Sequence, residues 1–328
     1  MKKYQIVGIG NAIVDVFTQS DEAFLAKMGI EKGIMQLVER ERGELLYAAM
    51  NDRVQAPGGS VANSLAGLGN LGLKTAFIGR VHDDALGRFY AKGMAEDGTD
   101  FVNPPVQGGE LPTSRSMIFV SKDGERSMNT YLGISSELGP QDVSDEVAGD
   151  TDYLFLEGYL YDKPKGKEAF ERAAKLCQKT GGKAGIALSD PFCVDRHRDD
   201  FRKLVENHVD ILFANEDEIK SLYQVKSFEE AAAAVNDKCE IAVLTRSEKG
   251  AVVLSNGEQI VVSAAPVTKV IDTTGAGDQF AAGFLYGFTE KMPLEKCGKL
   301  GAAAAAEVIG HIGPRPQMAY RDLIKKAA

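Results

Sequence analysis

The stretch Val267-Thr-Lys-Val-Ile-Asp-Thr-Thr-Gly-Ala-Gly-Asp-Gln-Phe-Ala-Ala-Gly-Phe-Leu-Tyr-Gly287 decides how the rest of the chain is read. Its apolar, β-branched opening, Val267 to Ile271, reads as a strand. A turn follows through Thr273, Thr274, Gly275, Ala276 and Gly277, and Phe280, Phe284 and Phe288 then recur at helical spacing. Glycines permit backbone angles that a Cβ forbids. They also let bare N–H groups converge where a helix begins, and such a start attracts negative oxygens, phosphate above all. Asp278 stands directly behind the turn. A carboxylate beside a phosphate site has an evident use, accepting the proton of a hydroxyl that attacks phosphorus. The same residues also fit an ordinary Gly-rich strand-to-helix turn in which Asp278 merely suits the helix dipole.

Bulk properties narrow the possibilities. The 328 residues can bury a large core, as one large domain or one domain with a small appendage. With 44% hydrophobic and 26% charged residues, the composition is that of an ordinary globular protein. A formal net charge of −9 argues against nucleic acid and anionic membrane surfaces as partners. A small phosphorylated ligand stays open, because local amides and one metal can outweigh the global sign. Cys177, Cys193, Cys239 and Cys297 lie far apart with no CxxC pair, so they read as reduced thiols of a cytoplasmic protein. The four histidines show no metal-ligand spacing. The N-terminal apolar run, Ile6-Val-Gly-Ile9, is too short for a signal peptide or a membrane span.

Gly8-Ile-Gly10 invites a dinucleotide-binding reading, which fails: no third glycine opens a helix, and Asn11 to Phe17 continues with period-two alternation. Ile13, Asp15 and Phe17 share one face. Asp15 therefore either sits on an edge strand facing solvent or grips ligand hydroxyls. A short helix over 22–28, a strand over 33–38 and an amphipathic helix over 39–50, with Leu45, Leu46 and Ala49 inward, come next. In Pro57-Gly-Gly-Ser-Val-Ala-Asn63, Ser60 is a natural N-cap and Gly58-Gly59 can bring backbone close to a ligand. Val61, Leu65 and Leu68 form the apolar stripe, and Asn63 projects away from it. Residues 74–79 make a core strand, and Asp83-Asp84 opens a helix. Two strands, 113–120 and 125–131, flank a tight Asp123-Gly124 turn.

From Asp152 the chain alternates strands (153–156, 184–188, 211–214, 241–245) with helices (near 164–179, 195–207, 216–223 and 228–236). This alternation predicts an α/β fold, a doubly wound, mainly parallel sheet with helices on both faces. Ligands are expected beyond the carboxyl ends of the strands. An Ala-rich helix over 300–309 follows the opening stretch.

Several groups of residues resemble, in chain order, the signatures of the PfkB carbohydrate and nucleoside kinases, the ribokinase-like family. They are Asn11-x-x-x-Asp15, Gly58-Gly59-x-x-x-Asn63, Asn215-x-x-Glu218, Thr245-x-Ser247-x-x-Gly250 and Asp272-Thr-x-Gly-Ala-Gly-Asp278, with Ser247 where the family has glycine. The resemblance runs from Gly8 to Gly313. It implies one ribokinase-like α/β domain over residues 1–328, with a small β-sheet lid whose strands are inserted at about 11–40 and 110–132. It also implies ATP-dependent phosphorylation of a primary hydroxyl on a sugar or nucleoside.

On that resemblance Asn11, Asp15, Gly58, Gly59 and Asn63 hold the sugar, and Asp278 takes the proton of the 5′-hydroxyl. Amides of Gly275, Ala276 and Gly277 meet the charge growing on the γ-phosphate. Arg126 either swings over the transferred phosphate or stays a solvated hairpin arginine. Thr245, Ser247, Gly250, Gly275 and Gly277 lie near the nucleotide. Asn215 and Glu218 reach Mg2+ through water, although alone they also read as an acidic helix start. His311, in Gly310-His-Ile-Gly313, lines the base pocket or faces solvent. Gly10-Asn11-x-x-x-Asp15, Ser189-x-Pro191-Phe192 and Tyr159 resemble the adenosine kinase branch, with Tyr159 stacking on a planar base or standing as a rim residue. A sugar kinase of ribokinase or fructokinase type is the alternative. The implied cofactors are ATP and Mg2+, with a monovalent cation such as K+ left open, and the sequence leaves the assembly open between monomer and homodimer.

Overall fold

The computed structural model describes residues 2–327. Among them, fourteen strands form in chain order: β1 (Tyr4–Ile9), β2 (Ile13–Gln19), β3 (Met35–Leu37), β4 (Val54–Gly58), β5 (Thr75–Ile78), β6 (Thr99–Phe101), β7 (Ser114–Val120), β8 (Arg126–Tyr131), β9 (Thr151–Glu157), β10 (Lys183–Ala187), β11 (Ile211–Asn215), β12 (Ile241–Thr245), β13 (Ala251–Ser255) and β14 (Glu258–Val262). Nine make one sheet, ordered β14-β13-β12-β11-β10-β9-β1-β5-β6. It is parallel except for the edge hairpin of β13 and β14. The other five make a second, small sheet, β3-β8-β7-β2-β4. The fold is thus the mixed α/β architecture that the strand–helix alternation predicts.

Strands buried on both faces are apolar on both faces. In β9, Leu154 and Leu156 join one core with Phe170 and Phe201, while Phe155 points oppositely against Phe213, and Phe213 in turn meets Phe284. The helix Ala276–Thr289 buries Phe280 and Phe284 in that second core, as the aromatic stripe anticipates. The chain builds outward from β1 to β5 and β6, then returns through β9 to the other side. Strand order reverses between β1 and β9, and open α/β sheets bind ligands at such reversals.

Four local expectations need correction. Val267 to Ile271 is not a strand: Val270 and Ile271 are exposed, and the Ile271 N–H donates to the Ile309 carbonyl (2.8 Å) rather than to a sheet. Ser60 is not the N-cap of its helix, Ser60–Asn70. Gly59 takes that place at φ +94°, where a Cβ would stand 2.3 Å from the Asn11 carbonyl oxygen. In the helix Arg40–Ala49, Gly43 and Leu46 face inward and Leu45 is 52% exposed. Gly43 sets that rotation, since its Cα side lies directly against Tyr131. The helix expected at 195–207 begins earlier, at Pro191, where the Asp190 carboxylate accepts from the Cys193 N–H (2.7 Å). Among the described residues no helix is long and apolar enough to cross a membrane.

Candidate active site

The helix Ala276–Thr289 starts at Gly275, whose φ is +76° and which offers no side-chain cap to the first amides. A Cβ there would stand 2.6 Å from the Pro314 carbonyl oxygen, so glycine is required on two counts. Thr274, Gly275 and Asp278 line a cavity of about 230 Å3 on one side of this turn. Thr273, Ala276 and Gly277 line a cleft of about 630 Å3 on the other. The turn is the wall the two spaces share.

Into the smaller cavity the helix Ser60–Asn70 sends two side chains that grip Asp278. The Ser60 hydroxyl donates to Oδ1 (2.7 Å) and the Asn63 amide Nδ2 donates to Oδ2 (2.9 Å). The Ser64 hydroxyl donates to the Asp278 carbonyl (2.9 Å), fixing helix to helix. Burial pushes the Asp278 carboxyl up to about 6, against the opposing pull of Asn63, Ser60, Arg126 and Arg315. It is therefore mostly ionised at neutral pH. Asp15 lines the same cavity, and burial pushes it up to about 7 despite Arg315 and Arg126.

The expected acceptor residues divide into two groups. Asp15, Gly59, Asn63, Tyr159, Arg126 and Asp278 line the cavity. Asn11 and Gly58 do not. The Asn11 amide is spent on Glu157, donating from Nδ2 to Oε1 (2.8 Å), and its backbone N–H donates to the same oxygen (3.1 Å). A Cβ at Gly58 would stand 2.2 Å from Asp15 Oδ2, so that glycine makes room for the carboxylate instead of touching a ligand. Arg126 is not a free hairpin arginine: its Nε lies 3.3 Å from Asp272 Oδ1, fastening the second sheet to the turn. That sheet also supplies an apolar roof of Ile13, Met35, Leu37 and Met128, with Leu132 just beyond β8.

In the larger cleft, Asn215, Thr245, Ser247 and Gly250 come together with Gly277, as the chain order suggests. Ser247 adopts φ +50°, the left-handed backbone that a glycine there takes freely. Ser189, at φ +81°, is its counterpart in the smaller cavity. Strained backbone of this kind concentrates at functional sites. Asn215 and Glu218 form a closed capping box. Asn215 Oδ1 accepts from the Glu218 N–H (2.8 Å), and Glu218 accepts from the Asn215 N–H (2.9 Å) and Nδ2 (2.7 Å). Only Asn215 lines the cleft, and burial pushes Glu218 up to about 7. Among the described residues no cluster of three acidic, histidine or cysteine side chains could hold a metal. A magnesium ion fits only if water and phosphate oxygens supply most of its ligands. His311 is absent from the cleft wall. Its Nε2 lies 3.3 Å from Glu307 Oε1, and Ile309 occupies the wall.

Sequence reasoning missed Ser60 as a partner of Asp278, and it missed Glu157, Asp162 and Arg315. Glu157 had a faint signal, a carboxylate ending a core strand; Arg315 had none.

The family described as pfkB family carbohydrate kinase matches residues 27–319. A probable sugar kinase from Rhizobium etli CFN 42 is 46% identical, with 100% of this chain and 99% of that chain covered at a TM-score of 0.96. The adenosine kinase from Sinorhizobium meliloti is 45% identical, with 99% of this chain and 100% of that chain covered at a TM-score of 0.95. A 5-dehydro-2-deoxygluconokinase from Listeria monocytogenes is 28% identical over 278 residues, 82% of this chain and 85% of its own length. Matched over most of its length, the chain belongs to the pfkB family of carbohydrate kinases.

Proposed function

We propose that this kinase transfers the γ-phosphate of ATP to the 5′-hydroxyl of a nucleoside, adenosine foremost. The observation that carries the choice is the mixed lining of the smaller cavity. Beside polar side chains, Asp15, Asn63, Thr130 and Asp278 among them, it carries an apolar set, Ile13, Met35, Leu37, Met128 and Leu132. A nucleoside offers both kinds of surface, the hydroxyls of a ribose and the apolar faces of a flat base. A free sugar carries hydroxyls all round, and burying them against that roof without partners is costly. Likeness to the Sinorhizobium meliloti adenosine kinase supports the same reading.

In this reading the acceptor hydroxyl lies against Asp278, whose two oxygens are already aimed by Ser60 and Asn63. The ionised carboxylate accepts the hydroxyl proton as the oxygen attacks phosphorus. ATP occupies the larger cleft with its terminal phosphate toward the helix start at Gly275–Gly277, which no side chain caps and whose amides stabilise the negative charge of the transition state. Magnesium, reached from Asn215 through water, supplies further charge neutralisation when bound. The apolar roof keeps water from competing with the acceptor.

The competing reading is a sugar kinase, favoured by the names of the Rhizobium etli and Listeria relatives. A coupled ADP-release assay over adenosine, inosine, ribose, fructose and 5-dehydro-2-deoxygluconate separates them. Adenosine is expected to give the highest kcat/KM. Turnover of any of the sugars without turnover of adenosine overturns the nucleoside assignment and leaves the family intact.

A further inference from the structure

We infer that Arg315 is a positioning residue for phosphoryl transfer: it fixes the orientation of the Asn63 amide and so presents Nδ2 to Asp278. The inference rests on Asp278 being the base. Arg315 follows the helix Leu294–Val308 in a segment whose consecutive residues each touch the site. The Gly313 N–H donates to Asp272 Oδ2 (2.9 Å). The Pro314 carbonyl accepts from Gln279 Nε2 (3.0 Å), and Pro314 fills the space that a Cβ on Gly275 would need. Arg315 then donates from Nε to Asn63 Oδ1 (3.5 Å). Its terminal nitrogens reach the Asp97 carboxylate, which ends the helix Ala85–Glu96, and Met94 Sδ (3.3 Å). The side chain is 11% exposed.

A guanidinium has donors and no acceptor, whereas an asparagine amide has one end of each kind. Facing Arg315, the Asn63 amide gains a partner only with its oxygen toward the arginine. Its nitrogen is then left for the Asp278 carboxylate, which accepts and never donates while ionised. The reversed amide would set two acceptors against each other and two donors against each other. Arg315 also brings positive charge among the carboxylates: it opposes the rise at both Asp15 and Asp278. Other charged or titratable groups facing this centre include Arg126 from β8, Glu157 from β9, Asp162, Glu218 and Asp272, with the Tyr90 hydroxyl donating to the Gly58 carbonyl (3.1 Å) and Asp97 paired to Arg315.

The test compares Arg315→Met, Arg315→Lys, Asp97→Asn and Asp278→Asn, reading kcat/KM against pH together with thermal unfolding. Arg315→Met is expected to lower kcat roughly tenfold through misalignment. It should also move the acid limb of the profile upward by about half a pH unit or more, with KM for ATP within about twofold. Arg315→Lys, which keeps the charge and loses the fork, is expected to hold the acid limb near wild type while kcat still falls. Asp97→Asn is expected to lower stability and leave the limb in place. An acid limb unmoved in Arg315→Met, with a stability loss equal to that of Asp97→Asn, overturns the inference and makes Arg315 a tie between chain segments. If Asp278→Asn is inactive in that case, the base assignment survives; if Asp278→Asn keeps turnover, the base assignment and the inference both fall.

Discussion

The two spaces on either side of the Gly275–Gly277 turn are built from different materials. The proposed acceptor side is made of side chains drawn from distant elements: Asp15 from β2, Ser60 and Asn63 from one helix, Asp278 from another, and a roof from the second sheet. Hydrogen bonds tie Ser60 and Asn63 to Asp278, and Arg315 to Asn63. The proposed donor side is lined mostly by small residues, Gly250, Gly277, Ala302 and Ala306 among them, with Phe280 and Ile309 beside them. A nucleoside is recognised by individually placed polar atoms, whereas a polyphosphate asks mainly for amides and room. Specificity is therefore expected to reside on the acceptor side, and general phosphate affinity on the donor side.

The sharpest way to break this division is Asp278→Asn. Turnover is expected to fall by about 10²–10⁴, the usual contribution of a general base. Adenosine and ATP should still bind, as read by calorimetry. Next in size is Gly58→Ala, whose Cβ would collide with the Asp15 carboxylate. Overpacking of this sort costs about 1–3 kcal/mol, so KM for the acceptor should rise roughly tenfold or more while KM for ATP holds. Equal losses on both sides would show that the two spaces are not independent.

Asp15 offers a pH test of the same side. Its carboxyl is raised to about 7 in the fold from an ordinary 3.8. The folded state thus holds a proton that the unfolded chain releases, and the resulting stability is present below about pH 4 and lost as pH rises through about 7. Without ligand, Asp15→Asn should melt higher than wild type at pH 8, with the gap closing toward pH 4. The smallest effect belongs to the donor side. Ser247→Gly relieves a left-handed serine, a strain of order 1 kcal/mol, and should raise the melting temperature slightly without changing acceptor preference. A shift from adenosine to sugars in that variant would contradict the division.

The same contrast explains what could be read in the sequence. The central sheet was legible because period and composition are local properties: Val7, Leu154 and Leu212 sit in unbroken apolar runs. The turn was legible because its glycines and Asp278 are contiguous. The β13–β14 hairpin carried a legible sign, Asn256-Gly257 at φ +52° and +74°, that the strand count left out. By contrast β4 has no alternation and contains Pro57; only pairing with β2 makes it a strand. Glu157 was only faintly legible and Arg315 not at all, because their partners, Asn11 and Asn63, lie 146 and 252 residues away. Asn11 and Asn63 illustrate the limit well. Sequence marked both as ligand-binding residues, yet only the fold separates the one that lines the cavity from the one that supports a neighbour.

The most direct test of the shared-wall arrangement is a ternary crystal structure with adenosine and a non-hydrolysable ATP analogue. The 5′-oxygen is expected within about 2.6–3.2 Å of the Asp278 carboxylate, with the analogue's terminal phosphate on the opposite face of the turn against the Gly275–Gly277 amides. Both ligands on one face, or a 5′-oxygen beyond hydrogen-bond reach of Asp278, would contradict it.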